Sequence, residues 1–235
     1  MPPMKVAIIV PTFRALDYAE GAVESALRHT PDAHVLLIDD ATPEWEPKRF
    51  SRFYGGGRFF LHRFKQNRGV TRSWNHGLKV ARTLGCDAAV CGNSDVWFPK
   101  GWWPPLQAEL ERMPDALLGP VTNAPGHRFA QSVLHCLPDY KLTDETGYLD
   151  KVQARLDRER PAVLPGPING FCMVARLEAW FRFAHDSEYV FNPKFKMTRN
   201  EDELQGRWNR LGGVVRIVPS SFVFHYRGVS RKGAT

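Results

Sequence analysis

The sequence predicts an α/β protein in which helices flank one open sheet within a single domain. Strand-like and helix-like patterns alternate through the first half of the chain, which is typical of parallel strands joined by right-handed crossovers. The length of 235 residues fits one domain, because domains usually take about 100–200 residues. Hydrophobic residues at 43% and charged residues at 24% are ordinary for a folded chain and argue against wholesale disorder.

The first half contains short apolar runs bounded by turn residues, together with longer segments whose apolar residues recur every three or four positions. The former predict strands and the latter amphipathic helices. Pro11 is expected to end the first strand. We expect strands over residues 5–10, 35–38, 58–62 and 87–91, and helices over about 15–29 and 70–81.

The second half is less regular. Asn200 is expected to cap a late helix, with Glu203 completing a capping box. The mostly polar segment 125–167 resembles a lid or an insertion, with one helical pattern near Leu149, Val152 and Leu156. We expect helices over about 104–113 and 200–211, and strands over 116–121, 171–175, 214–218 and 222–224.

Basic residues concentrate in two stretches that contain no Asp or Glu. The formal net charge is +7, ten Lys or Arg lie between Pro47 and Cys86, and six more follow Glu203. Such stretches are expected to attract a polyanion or a phosphorylated ligand, and aromatic residues interleaved with the first are compatible with nucleic-acid contacts. The alternative is that these are solvated faces and core aromatics.

The sequence carries no sign of export or of a membrane span. No apolar run approaches the ~18 residues that a span needs, and the amino terminus lacks the apolar region of a signal peptide. The cysteines form no CxxC pair, so we expect reduced thiols in a soluble cytoplasmic protein. They are Cys86, Cys91, Cys136 and Cys172.

Polar residues follow each of the first four predicted strands, where open α/β sheets bind ligands. They are Pro11 and Thr12, Asp39 and Asp40, Asn67, and Asn93, Ser94 and Asp95. Paired acids suit a ribose or a base edge, and an Asp among short polar residues suits a hard divalent cation. Turn capping is the structural alternative. The chain contains neither GxGxxG nor GxxxxGK[ST], which excludes the dinucleotide and phosphate-loop patterns.

Seven segments in their joint order resemble a family 2 glycosyltransferase of the GT-A fold, from Val6 to about Ser230. They read VAIIVPTFRA, VLLIDDATPE, NRGVTRSWNHGL, CGNSDVWFPKGWW, INGFCMVARLEAW, NEDELQGRWNRLGG and FVFHYRGVS. The resemblance implies a Rossmann-like open mixed sheet. It also implies that residues 1–120 bind a nucleotide sugar, while residues 121–235 bind the acceptor and carry catalysis.

The resemblance also implies a role for each matching residue. Asp95 matches the last acid of the DXD motif and binds Mn²⁺ or Mg²⁺, His225 matches a late histidine that contacts the same metal, and Asp202 matches the catalytic base. Gly170 matches the small residue that opens the cleft for sugar and acceptor. The remaining donor-binding candidates are Pro11, Thr12, Asp39, Asp40, Asn67, Asn93 and Ser94, with Asn75 ending the segment that Asn67 begins.

Two positions depart from the family pattern. Asn93 stands at the first DXD position instead of Asp, which leaves fewer anionic ligands. Trp74 stands where the family frequently has Arg, so the base contact falls to Arg72 or is lost.

The resemblance implies an inverting, single-displacement transfer from a nucleoside-diphosphate sugar, with a UDP-sugar as the expected donor. The positive charge favours a polyanionic acceptor, and a hydroxylated base in DNA is its most specific form; polysaccharide, lipid-linked and small-molecule acceptors are the alternatives. A non-catalytic nucleic-acid or carbohydrate binding module is the alternative class. A sugar nucleotidyltransferase would usually carry G-x-G-T-R in the first loop, where this chain has Thr12, Phe13 and Arg14.

Overall fold

An eight-stranded mixed sheet forms the centre of the protein, seen in a computed structural model that describes residues 4–46 and 48–226. The strands are β1 (Val6–Thr12), β2 (His34–Asp39), β3 (Phe59–Arg63), β4 (Ala88–Gly92), β5 (Val96–Trp97), β6 (Ala116–Val121), β7 (Leu164–Pro165), β8 (Cys172–Arg176), β9 (Val214–Phe222) and β10 (Phe224–His225). The helices are α1 (Leu16–His29), α2 (Val70–Thr83), α3 (Trp103–Arg112), α4 (Thr146–Glu159), α5 (Leu177–Arg182) and α6 (Asn200–Arg210).

The sheet order is β3-β2-β1-β4-β8-β6-β9-β7, and β5 pairs with β10 in a separate two-stranded sheet. Strands β3, β2, β1 and β4 are mutually parallel, while β8 runs antiparallel to both β4 and β6. The carboxyl ends of the first four strands therefore meet at one edge of the sheet. The predicted open mixed α/β sheet is confirmed.

The first strand continues through Pro11 to Thr12, so the prediction that Pro11 ends it is wrong. Pro11 pairs with Ile38 of β2, whereas the pairing with β4 on the other side stops at Ile9. Proline lacks the N–H that a ladder bond requires. It is tolerated here because this end of β1 has a neighbouring strand on one side only.

The start of α6 also differs from its prediction. Arg199 precedes the helix in the left-handed region at φ 63°, and its side chain makes no capping hydrogen bond. Asn200 is the first helical residue, and its Oδ1 accepts from the Glu201 N–H at 2.9 Å. Asn200 instead donates from Nδ2 to Thr71 Oγ1 at 3.0 Å, and Glu203 forms an ion pair with Arg207. Tertiary and in-helix partners thus replace the local capping box.

Three smaller differences concern short or interrupted elements. The predicted strands 214–218 and 222–224 are largely one strand, β9, which shifts register against β6 between Pro120 and Val121. The strand β5 and the helix α5 had no sequence prediction. In the segment 125–167, α4 confirms the helical pattern predicted near Leu149, Val152 and Leu156, and β7 is a strand without a sequence prediction.

Two apolar clusters cover the two faces of the sheet. One contains Trp74, Trp180 and Trp208 from α2, α5 and α6, and the other contains Ala22 of α1 and Leu106 of α3. Both clusters are built from side chains removed from water, the main favourable contribution to folding. Among the described residues no helix is both long enough and apolar enough to cross a membrane.

The helix α2 packs unusually close to β1 at Gly77. A Cβ atom added at Gly77 would lie 2.4 Å from Cγ2 of Ile9, a fully buried β-branched residue that has little freedom to move. We expect Gly77→Ala to lower the free energy of unfolding by about 1–3 kcal/mol through overpacking. The measurement is denaturant unfolding. Gly55→Ala is the control, because nothing lies within 4 Å of its added Cβ; equal stability of the two variants would contradict the close approach.

Some basic residues of the first acid-free stretch are paired with acids from other segments. Arg49 and Arg52 form ion pairs with Asp17, Glu20 and Glu24 of α1. The aromatic residues Phe50 and Phe59 are buried in the core. For these residues the structure favours core aromatics and paired charges over a free cationic surface. Lys65 and Arg68 stay exposed, while Arg227, Arg231 and Lys232 of the second stretch lie outside the described residues.

Candidate active site

Thr12 and Asp39 lie side by side at the carboxyl ends of β1 and β2, where they are partners in the parallel register. Pro11 precedes Thr12 on the same strand. The Thr12 side chain is buried, and its Oγ1 has no hydrogen-bond partner among the described residues. Because a buried hydroxyl without a partner costs free energy, Thr12 is suited to bind a polar group of a ligand.

The Asp39 carboxylate is fully buried and held by two neighbours. Arg63 Nε donates to Asp39 Oδ2 at 2.8 Å, and the backbone N–H of Thr42 donates to Oδ1 at 3.2 Å. Arg63 also donates from Nη2 to Thr42 O at 2.7 Å. A carboxylate offers about four acceptor positions, so Oδ1 retains capacity for a further donor such as a base N–H.

Asp40 fastens the loop that leads into α2. The backbone N–H groups of Arg68 and Gly69 donate to its two carboxylate oxygens, each at 2.7 Å. Burial raises the pKa of Asp40 above its ordinary value, and these two hydrogen bonds only partly offset that effect. Asp40 therefore has a clear structural task, and it holds the loop that carries the exposed Asn67.

Arg72 and Asn75 point to partners on the segment that precedes α6. Arg72 Nη1 donates to Tyr189 Oη at 2.6 Å, and its guanidinium lies 4.5 Å from the centre of that ring. Asn75 exchanges two hydrogen bonds of 2.9 Å with the backbone of Phe191. The structure thus gives both residues partners outside the set at the strand ends. The contact of Arg72 with a nucleotide base stays a prediction.

Asp95 and His225 form a buried pair just beyond β4. Antiparallel pairing of β10 with β5 sets His225 opposite Val96, and His225 Nε2 lies 3.3 Å from Asp95 Oδ1. The imidazole ring stacks on Phe171 at 5.3 Å. The two predicted metal ligands, distant in the sequence, are therefore brought together by the small second sheet.

The surroundings of Asp95 favour its ionised form. Burial is the largest single influence and opposes ionisation, yet the hydrogen bond and charge of His225, with hydrogen bonds from its own backbone and from Asn93, hold the pKa of Asp95 below its ordinary value. Ser94, between Asn93 and Asp95 in the sequence, is also buried. The site thus presents an anionic oxygen at the edge of the sheet.

The Asp95–His225 pair fits a divalent cation. Metal bonds of about 2.0–2.1 Å place adjacent octahedral ligands about 3 Å apart, close to the 3.3 Å seen here. His225 Nε2 faces Asp95 as a hydrogen-bond donor, and His225 Nδ1 has no partner among the described residues; a cation bound by both side chains would replace that hydrogen bond, with the ring proton on Nδ1. No cluster of three or more His, Cys, Asp or Glu that could hold a metal occurs within 4–46 and 48–226; further ligands would have to come from a bound molecule or water.

The amino terminus of α6 contributes two carboxylates. Asp202 is about half exposed and accepts a hydrogen bond from Arg128 Nη2 on Oδ1. Glu201, which sequence reasoning did not select, lies deeper: its Cδ is 3.5 Å from the position of a Cβ added to Gly170. The adjacent acids in the sequence were a signal for both, but the burial that distinguishes them depends on the packing of α6 against Gly170.

Gly170 lies between the Asp95–His225 pair and the carboxylates at the start of α6. Phe171, the next residue, accepts a hydrogen bond from the Asn93 N–H at 2.9 Å and stacks on His225, while Gly170 itself faces Glu201. Asp95, His225, Gly170 and the amino terminus of α6 therefore share one region at the edge of the sheet.

A sequence profile described as Glycosyl transferase family 2 matches residues 7–178, more than half of the chain. The chain belongs to glycosyltransferase family 2. The match includes the strand-end residues and Gly170 of this family 2 chain, whereas Asp202 and His225 lie beyond it. No curated protein sequence matches the chain.

Solved structures share the fold of this family 2 chain at low sequence identity. GalNAc-T7 with UDP, GalNAc and Mn²⁺ has a TM-score of 0.71 and 16% identity over 97% of this chain and 45% of that one. The mannosyltransferase PcManGT from Pyrobaculum calidifontis, with GDP-Man and Mn²⁺, has a TM-score of 0.66 and 14% identity, and the match covers 96% of this chain and 58% of PcManGT. S. aureus TarS 1-349 has a TM-score of 0.64 and 12% identity, and the match covers 94% of this chain and 60% of TarS 1-349. The chain thus spans about half the length of these proteins.

Proposed function

We propose that the protein is a metal-dependent inverting glycosyltransferase that moves a sugar from a nucleoside-diphosphate sugar to an acceptor hydroxyl. The donor that we expect is a UDP-sugar. The observation that carries the proposal is the Asp95–His225 pair, 3.3 Å apart at the edge of the sheet where Gly170 meets α6. Membership of family 2 and the structural neighbours that contain UDP or GDP-Man with Mn²⁺ support it.

The donor would lie across the carboxyl ends of β1, β2 and β4. Thr12 Oγ1 and Asp39 Oδ1 have capacity to bind the nucleoside, and Asp95 and His225 would hold the Mn²⁺ or Mg²⁺. When bound, this cation supplies positive charge against the departing diphosphate. We assign the remaining donor contacts to Pro11, Asp40, Asn67, Arg72, Asn93, Ser94 and Gly170.

Asp202 would act as the general base. Its carboxylate takes the proton of the acceptor hydroxyl while that oxygen attacks the anomeric carbon and the bond to the nucleoside diphosphate breaks. Attack from the face opposite the leaving group inverts the anomeric centre. The half-exposed position of Asp202 leaves room for an acceptor to approach.

The test of this function is a donor screen with added Mn²⁺ that measures release of nucleoside diphosphate with and without candidate acceptors. We expect release that requires the acceptor and stops when EDTA removes the metal. Release unaffected by EDTA, or no turnover with any sugar nucleotide, would overturn the proposal. Binding without turnover would favour a non-catalytic module, and release of pyrophosphate would favour a nucleotidyltransferase.

We place the acceptor in a cleft of about 710 Å³ formed by the segment 137–155. Lys141 and Lys151 are among its lining residues. The lining also contains Asp139, which pairs with Arg155, and Glu145. We rest a polyanionic acceptor on the two lysines, with DNA carrying a hydroxylated base as the specific form. A duplex base would have to be flipped out.

The acceptor proposal predicts salt-sensitive retention of the protein on duplex DNA. We expect Lys141→Glu/Lys151→Glu to weaken binding and to reduce the slope of log affinity against log salt by about two, because each lysine would neutralise one phosphate. Arg112→Glu/Arg210→Glu, with the same charge change on residues away from the cleft, is the control. Absent or salt-insensitive binding would contradict a polyanion and favour polysaccharide, lipid-linked or small-molecule acceptors.

A further inference from the structure

One segment, residues 122–131 after β6, contacts both parts of the candidate site. We propose that Asn123 and Arg128 of this bridging segment are positioning residues that set the cation pair and the α6 carboxylates relative to each other. The proposal rests on the function proposed above, because it assigns these residues through His225 and Asp202.

Asn123 clamps the backbone of His225. Its Oδ1 accepts from the His225 N–H at 2.8 Å, and its Nδ2 donates to His225 O at 3.0 Å. Thr122 Oγ1 donates to Asn123 Oδ1 at 3.2 Å and orients the amide. Together with the pairing of the two-residue β10 with β5 and the Tyr226 N–H bond to Asp95 O, these bonds fix the backbone that carries the imidazole beside Asp95.

Arg128 holds the Asp202 carboxylate at the amino terminus of α6. Its guanidinium donates to Asp202 Oδ1 and is four-fifths buried. Arg128 Nε is itself buried without a partner among the described residues, so the ion pair with Asp202 is important for compensating the buried positive charge. A half-exposed carboxylate held in this way keeps one orientation toward the acceptor.

The bridging segment is itself anchored. Gln131 is fully buried and donates from Nε2 to Pro120 O at 2.9 Å. Its Oε1 accepts from the backbone N–H of Asn169, and Asn169 Nδ2 donates to Pro125 O at 3.2 Å. Asn169 precedes Gly170, so the bridging segment is also fixed next to Gly170, between the cation pair and the α6 carboxylates.

For Asn123, the measurement is Mn²⁺ binding by electron paramagnetic resonance, which needs no turnover. We expect Asn123→Ala to weaken Mn²⁺ affinity about 10–100-fold, the usual effect of removing an outer-shell support of a metal ligand. Asn209→Ala on the exposed face of α6 is the control. In a His225→Ala background the Asn123 effect should disappear, because the two act through one ligand; a persistent effect would show general destabilisation and overturn the assignment.

For Arg128, the measurement is the separation of kcat from KM together with Mn²⁺ binding. We expect Arg128→Ala to lower kcat about a hundredfold with unchanged Mn²⁺ affinity, partial recovery in Arg128→Lys or with added guanidinium, and no further loss in an Asp202→Asn background. A fall in Mn²⁺ affinity, or additive losses with Asp202→Asn, would overturn the role.

The two proposals fail differently. A wild-type protein that binds no Mn²⁺ would overturn the metal-dependent function. A wild-type protein that binds Mn²⁺ and turns over, with Asn123→Ala and Arg128→Ala behaving like Asn209→Ala, would overturn the bridging role alone.

Discussion

Asp202→Asn is expected to lower kcat by about 10²–10⁴-fold, the usual contribution of a general base, while KM for the donor changes little. The reason is that the amide cannot take the acceptor proton, although it keeps the size of the side chain and its place at the start of α6. The measurement is steady-state release of nucleoside diphosphate in the presence of acceptor.

Glu201→Gln is the matched control for Asp202→Asn. The two residues are adjacent, but the Glu201 carboxyl group lies against Gly170 while Asp202 is half exposed beside Arg128. We expect Glu201→Gln to act mainly on substrate affinity. The reverse result, with kcat lost in Glu201→Gln and kept in Asp202→Asn, would move the base to Glu201.

Asp95→Asn is expected to lower kcat/KM about a thousandfold, which corresponds to ~4 kcal/mol of transition-state stabilisation. The substitution removes the one anionic side chain of the candidate cation pair, since its partner is a histidine. The measurement is turnover across a Mn²⁺ titration, where high Mn²⁺ should recover part of the loss.

Asp32→Asn is the control for Asp95→Asn, because Asp32 is exposed in the turn between α1 and β2, at the opposite edge of the sheet. It should behave as wild type. An Asp95→Asn variant with wild-type metal dependence would contradict the assignment of the cation site.

The sequence was sufficient for most elements because apolar periodicity reflects burial against one sheet. It could not predict that β1 passes through Pro11, since that depends on how far β4 pairs alongside. Nor could it show that Asn200 bonds Thr71 instead of capping α6. Local patterns reflect local preference, and tertiary partners can override it.

The candidate site was likewise predictable in part from the sequence. The residues at the strand ends were predictable because parallel strands end at one edge, and Asp95 and His225 meet as the family order implies. Glu201 was missed because its burial against Gly170 is a property of the packing. The acid-free stretch was misleading about surface charge, because the acids that pair with Arg49 and Arg52 come from α1.

The measurement that tests the central claim most directly is equilibrium Mn²⁺ binding by the wild-type chain and by Asp95→Asn, with and without UDP or GDP, and with nucleotide alone as the blank. The account predicts one Mn²⁺ per wild-type chain, bound more tightly when nucleoside diphosphate supplies the remaining ligands, and little binding by Asp95→Asn. Equal binding by the two proteins, or none by the wild type with either nucleotide, would contradict it.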